Sequence, residues 1–396
     1  MKVVILGNDL KAYWKGRIGY LYAFFAANNI ELFAIEIFGQ GSPYAFDKAN
    51  EKDNYWKLIF PDRRSDQLTK KQITKGVFHH LDKLKPDVII SSSIVFYAGA
   101  LGLRWAKKNN KKFIMFDDMK VVQVKRNFLV QSVKNLITSQ VDGFWFPTEK
   151  YYADYCYYHN KDIEFIYGLN CVDNQKFKTK GQKKLNHNTL ICVARLVPVK
   201  NLERLLMAWQ LVEEKHPHYL LKIIGDGPLL DNLTTLKQSL QLKNVEFLGA
   251  VDNSAVIEHY FNADALVLPS LTESWGLVVN EAMSASLPVI LSDTVNAAES
   301  LLEEGGNGFS FDPLDVSKIA GSIQRFVHLD EDEKARMSDR SLQIIEEMSY
   351  KQMGDQLLDG IIKVKSKPGK SSLLSSMVIN YWAGGNNIAG WDTLKT

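Results

Sequence analysis

Short apolar runs alternate along this chain with longer stretches of helical periodicity, and they do so in two successive series. In the first, Lys2–Leu6, Glu31–Ile37, Asp87–Ser91, Phe113–Phe116 and Gly143–Phe146 read as strands. Helical patterns such as Ile18–Asn28 and Lys70–Leu84 lie between them. In the second, the strands are Thr189–Val193, Tyr219–Ile224, Val245–Leu248, Ala265–Leu268, Val289–Leu291 and Gly308–Phe311. They alternate with helices at Asn201–Lys215, Leu229–Leu240, Ala255–Phe261, Leu277–Ser286 and Ser317–Val327. Apolar runs of this length, bounded by Gly, Pro, Asp or Asn, suit strands buried on both faces. Strand–helix alternation joins them as parallel βαβ units. The expected fold class is α/β, with two doubly wound sheets.

A chain of 396 residues with 46% hydrophobic and 23% charged residues has room for two such domains. The polar, basic stretch 174–188 is the natural linker, dividing 1–173 from 189–348. One more helix is expected over Tyr350–Lys365, and the tail 366–396 has no assignable pattern. The net charge of +3 is too small to make nucleic acid the main partner. Residues 1–175 carry about +7 and the remainder about −4, so the first half would suit an anionic or membrane-surface acceptor, or simply has solvated lysine faces. Three cysteines make no disulfide framework and point to a reducing compartment. No apolar run reaches the length of a spanning helix, and Met1–Gly7 reads as a first strand rather than a leader. A cytoplasmic protein, soluble or at the inner face of a membrane, is expected.

Four segments fall at carboxyl ends of expected strands in the second half, where open parallel sheets bind ligands. Pro269–Met283 runs from a strand end into a helix, with Ser274, Trp275, Gly276 and Leu277 at the helix start. Free N–H groups there attract an anion such as phosphate. Glu273 and Glu281 bracket that start, and carboxylates accept hydrogen bonds from sugar and ribose hydroxyls. Arg195 and Lys200 follow the strand Thr189–Val193 as two cations able to reach one diphosphate. Gly225-Asp226-Gly227 is a strand-to-helix turn with two glycines, and Val251 follows a strand end suited to a base pocket. Each feature alone has an ordinary explanation, a solvated helix or a turn; their convergence on one crevice is the functional signal. In the first half, Gly16 and Arg17 stand at a helix start that could meet phosphate, and Asp117-Asp118 close a strand. No histidine pattern or carboxylate spacing fixes a metal site, so none is expected. Trp14, Trp56, Trp105 and Tyr97 are stacking candidates for sugars or, more simply, packing residues.

These residues resemble the donor-binding domain of retaining, GT-B type glycosyltransferases of family 4. The resemblance rests on Arg195-Leu196 with Lys200-Asn201, on Ile224-Gly225-Asp226-Gly227-Pro228, and on Glu273 to Glu281, the family's Glu-x7-Glu spacing. It covers about residues 188–325 and extends weakly to Phe146-Pro147-Thr148 and Gly168–Asp173. It departs in the first half: no adjacent glycine pair follows the first strand, and Asp117 stands where many members have histidine. The resemblance implies two Rossmann-like domains facing across a cleft, with the helix 349–365 packing back on the first. Arg195 and Lys200 would hold the diphosphate of a nucleotide-sugar, with Ser274, Trp275, Gly276, Leu277 and Gly225 lining the donor. Glu281 would bind the ribose, Glu273 the transferred sugar, and Val251 would lie against the base. The expected activity is hexosyl transfer, with retention, to a glycan or lipid-linked hydroxyl, needing no cofactor. A non-catalytic scaffold of the same fold and a sugar-nucleotide epimerase are the alternatives.

Overall fold

A computed structural model describes residues 1–11, 13–41, 54–120, 128–155, 162–178, 187–369 and 373–385. Two compact units emerge, one from Met1–Cys171 with Tyr350–Ile388, the other from Val172–Ser349.

The first unit holds a seven-stranded sheet of β1 (Lys2–Gly7), β2 (Glu31–Phe38), β3 (Trp56–Phe60), β4 (Val88–Ser92), β5 (Lys112–Phe116), β6 (Gly143–Trp145) and β7 (Glu164–Ile166). Its order is β3-β2-β1-β4-β5-β6-β7, parallel throughout. The order reverses between β1 and β4, whose register sets Val3 against Val88. Val3 to Leu6 and Val88 to Ile90 are fully buried, because helices cover both faces. The helix Tyr350–Ser366 packs on the helix Tyr13–Ala27 and on β6 and β7, so its Met353, Leu357, Ile361 and Val364 belong to this core. A further helix, Leu373–Tyr381, packs on the helices Tyr97–Lys108 and Phe128–Thr138.

Two strands, β3 and β7, are absent from the sequence expectation. Both are sheet edges: Lys57 interrupts the apolar run of one, and the other is three residues long. Trp56 and Trp105 are core residues, 6% and 2% exposed, with indole N–H groups donated to Glu36 (3.2 Å) and Asp82 (2.7 Å).

Glu36 itself is fully buried in β2. Burial first, and then nearby Asp9, push its carboxyl up from 4.5 to about 7. The folded chain therefore holds a proton there that the unfolded chain releases between about pH 4.5 and 7, so stability falls as pH rises through that window. Glu36→Gln should remove this slope. Relative to wild type, it should gain about 3 kcal/mol between pH 4.5 and 8. Urea unfolding of both proteins at the two pH values checks this; parallel pH profiles would contradict it.

The second unit holds β8 (Thr189–Val193), β9 (Leu220–Ile224), β10 (Val245–Gly249), β11 (Ala265–Leu268), β12 (Val289–Ser292) and β13 (Gly308–Phe311). Their order is β10-β9-β8-β11-β12-β13, again all parallel. The reversal falls between β8 and β11, the position at which such sheets open a crevice beyond the strand ends. Asn174–Phe177, inside the stretch read as a linker, forms one helical turn. Asn174 donates to the Ile345 carbonyl at 3.0 Å, and Phe177 lies 6.2 Å from the Tyr260 ring. Residues 179–186 of that stretch, and Cys156, lie outside the described residues. Among the described residues, no helix is long and apolar enough to cross a membrane.

Candidate active site

The loops after β8 and β11 meet at the reversal point of the second sheet. Leu271 N–H donates to the Val199 carbonyl at 2.8 Å, stitching the two loops together. Lys200 ends the 3-10 turn Pro198–Lys200, and its ammonium pairs with the Glu273 carboxylate across the gap. The two side chains are 16% and 15% exposed, so each keeps an edge toward solvent. The Ser270 hydroxyl donates to the same Glu273 oxygen at 3.2 Å.

Asn201 locks this arrangement. Its backbone is left-handed (φ 58°), which an Asn side chain tolerates better than a bulky one. Its amide donates to the Pro269 carbonyl (3.0 Å) and the Pro313 carbonyl (2.8 Å), while its carbonyl accepts from Arg204 (2.9 Å). One buried residue thus ties together the loops after β8, β11 and β13. From the other side, Asn296 donates to the carbonyls of Glu273 and Ser274, and Ala297 to that of Trp275. Residues 273–275 are therefore held on both flanks.

Gly276 (φ 95°) turns the chain into the helix Leu277–Ser284, whose first turn has no side-chain cap and no acidic residue. Its N–H groups and the dipole behind them face the Glu273 loop as a ready anion site. Glu281 lies one turn in, 8% exposed, accepting the Tyr260 hydroxyl at 2.9 Å. Trp275 turns inward: the residue is 1% exposed, and its indole N–H donates to Asn280 at 2.8 Å.

Gly225 and Gly227 have a packing reason to be glycine. At Gly225 (φ 136°) a Cβ would stand 1.9 Å from the Ala194 carbonyl oxygen, and at Gly227 2.6 Å from that of Leu196. The turn lies flat against the segment carrying Arg195, and Leu196 N–H donates to the Asp226 carbonyl at 2.9 Å. Arg195 and Val251 are both half-buried at strand carboxyl ends. Cys192 is fully buried, and that burial pushes its thiol up to about 12, which removes it as a nucleophile.

In the first unit, Gly16 sits where a Cβ would meet the Tyr350 hydroxyl at 2.4 Å. Arg17 is 3% exposed. Its Nε donates to the Cys171 carbonyl at 3.0 Å, its guanidinium lies 5.4 Å from the Trp14 ring centroid, and its Nη2 has no hydrogen-bond partner. Asp117 closes β5, accepting from Met119 N–H (3.1 Å) and the Tyr155 hydroxyl (3.4 Å), and Asp118 accepts from Asn170 (3.2 Å). Among the described residues no cluster of three potential ligands could hold a metal ion.

Residues 173–343 match the family described as Glycosyl transferases group 1. A Haemophilus influenzae protein named as an uncharacterized glycosyltransferase is 30% identical over 159 residues, 40% of this chain and 44% of its own length. The alpha-monoglucosyldiacylglycerol synthase of Acholeplasma laidlawii is 35% identical over 142 residues, 35% of this chain and 34% of its own. The chain thus aligns with less than half the length of these relatives. The similarity in fold is broader. The structure of Anabaena HepE in complex with UDP and glucose superposes with a TM-score of 0.71 at 17% identity, over 91% of this chain and 99% of that one. The two parallel sheets are those of the GT-B glycosyltransferase fold.

The group 1 segment contains Arg195, Lys200, Gly225, Val251, Glu273 to Leu277 and Glu281. The structure brings Lys200, Glu273 and the Gly276 helix start to one spot. Ser270 and Asn296, which hold that spot, and Tyr260, which holds Glu281, escaped the sequence reading. Ser270 stood inside the informative segment, but nothing in the sequence marks Tyr260 as a partner of Glu281.

Proposed function

We propose that this chain is a retaining glycosyltransferase of the family 4 kind, moving a sugar from a nucleoside diphosphate sugar to a hydroxyl of a glycan or lipid-linked acceptor. The observation that carries the reading is the Lys200–Glu273 pair beside the uncapped helix start, at the reversal point of the second sheet. Arg195 and Lys200 bind the diphosphate, the first as a planar fork, the second as a point charge. As the bond from the anomeric carbon to the diphosphate oxygen breaks, negative charge grows on that oxygen. Lys200, Arg195 and the N–H groups at Gly276 and Leu277 stabilise it more in the transition state than in the ground state. Glu273, drawn toward Lys200, presents its remaining lone pairs to the sugar hydroxyls. Glu281 accepts from the ribose, oriented by Tyr260. The positive charge at the leaving group comes from side chains and amides, so the reaction needs no divalent cation for that role. Asp117 and Arg17 are the acceptor-side candidates of the first unit.

Calorimetry with UDP, GDP and ADP tests the donor site. One of them should bind the wild type, and Glu281→Gln should weaken that binding by about ten- to a hundredfold, the worth of a charge-assisted hydrogen bond. Unchanged affinity in the variant would refute the ribose role, and no binding of any of the three would refute the donor site.

A further inference from the structure

The stretch 366–396 takes no part in the donor chemistry, yet residues 382–385 within it cross the place where the first sheet is built to take a ligand. The order of that sheet reverses between β1 and β4, and open parallel sheets bind ligands beyond the strand ends at such a point. Asn8 follows β1 there, and residues 93–96 lead from β4 into the helix Tyr97–Lys108. Phe96, at the N-cap of this helix, gives no side-chain cap, and the first turn has no acidic residue. Its first two N–H groups are nonetheless engaged. Ala98 donates to the Asn8 side-chain oxygen at 2.9 Å, and Tyr97 donates to the Gly385 carbonyl at 2.9 Å. The Asn8 amide lies 3.5 Å from the same Gly385 oxygen.

The approach of this segment is well defined. Arg104 donates to the carbonyls of Ile379 (3.1 Å) and Trp382 (2.5 Å), and the Trp382 indole donates to that of Ile94 (2.7 Å). Gly385 N–H donates to the Val95 carbonyl at 2.8 Å, so Gly385 and Phe96 form a parallel bridge. Gly384 (φ 66°) passes so near that a Cβ would stand 2.5 Å from the Phe96 carbonyl oxygen. Trp382 is anchored by its side chain. Gly384 and Gly385 have no side chain to bury and are held by backbone hydrogen bonds, each worth about 1 kcal/mol net. A segment held in this way lifts and reseats at small cost. The buried hydroxyl oxygen of Ser92, the last residue of β4, has no hydrogen-bond partner in the seated arrangement.

We propose that residues 382–385 are an autoinhibitory strap. The Gly385 carbonyl, a partial negative charge on a helix start, holds the place of a phosphate oxygen of an anionic acceptor. Seated strap and bound acceptor exclude each other, so the apparent affinity falls with the fraction of chains whose strap is lifted. The inference rests on the proposed transfer reaction, for which it names the anionic group that the first unit takes. Donor binding belongs to the second unit and is measured separately, so either can fail alone.

Amide hydrogen exchange at Tyr97 in the full chain, with inorganic phosphate titrated in, tests it. Gly384→Ala cannot seat the strap without a clash. Without phosphate, its Tyr97 amide should exchange about tenfold faster than in wild type, the equivalent of one lost hydrogen bond, while Ala98 stays unchanged. Phosphate should restore the protection of Tyr97 at about tenfold lower concentration in the variant than in wild type. Trp382→Phe, which loses only the indole donor, should shift both readings the same way by about threefold, and serves should Gly384→Ala fold poorly. Dodecyl phosphate in place of inorganic phosphate separates the sources: tighter protection assigns the seat to a lipid-linked phosphate, equal protection to phosphate alone. Phosphate that protects Tyr97 in no variant, or equally in variant and wild type, would overturn the proposal. Failure of wild type and variants alike to bind UDP, GDP or ADP would refute the donor site and leave the strap standing.

Discussion

Lys200→Ala and Arg195→Ala should each lower the release of nucleoside diphosphate from a nucleotide-sugar by about 10²–10³, or about 3–4 kcal/mol of transition-state stabilisation. The loss should fall mainly on kcat, because the charge these groups meet is largest when the glycosidic bond is breaking. The two variants differ in their structural cost. Removing the Lys200 ammonium takes the cation from the Glu273 carboxylate, 15% exposed, and leaves the Ser270 hydroxyl on that oxygen, so some stability is lost as well. Arg195 stands outside that pair and gives the cleaner measurement. Lys200→Arg should recover part of the rate, since it restores the charge but not the reach of a point cation. Turnover within twofold of wild type in both alanine variants, measured on folded protein, would remove the diphosphate role and leave the non-catalytic reading standing.

The largest expected effect on stability lies at Gly225. Alanine there places a methyl group 1.9 Å from the Ala194 carbonyl oxygen, at a φ of 136° that L-residues rarely adopt. Backbone cannot yield as a side chain tip does, so strain and overpacking add to about 2–5 kcal/mol. Gly249→Ala is the control. Its φ of 69° is also left-handed, but nothing lies within 4 Å of the new methyl, so only the conformational cost of about 1 kcal/mol remains. The midpoints of urea unfolding for the two variants should separate accordingly. Equal midpoints would mean that the turn after β9 does not bear on the Arg195 segment as closely as the distances require.

Most of the fold could be read from the residues because the central strands are buried on both faces. Val3–Leu6 and Ala265–Leu268 have no solvent side, so their apolar runs are uninterrupted. Edge strands escaped for the converse reason: Trp56–Phe60 has one exposed flank and tolerates Lys57, and Glu164–Ile166 is too short to form a pattern. Candidates for the site could be named where chemistry dictates residue type, at Arg195, Lys200, Glu273 and Glu281, of which the structure pairs Lys200 with Glu273. The site was illegible where an ordinary residue acquires its role only through the fold. Tyr260 meets Glu281 from a different helix, and Ser270 reaches Glu273 through a loop conformation that no spacing encodes. The glycines at 225 and 227 also answer a packing demand that spacing alone does not show, the close approach of the neighbouring loop of the same chain.

The reach of Asn201 to two carbonyls, in loops 68 and 112 residues away, bears on how such a protein diversifies. Segments that share one keystone cannot be exchanged singly. A graft of any one of them that shifts its backbone would strand the amide or its acceptors. Change at this lobe is therefore reached either by altering side chains on the existing framework or by transplanting all three segments as a block.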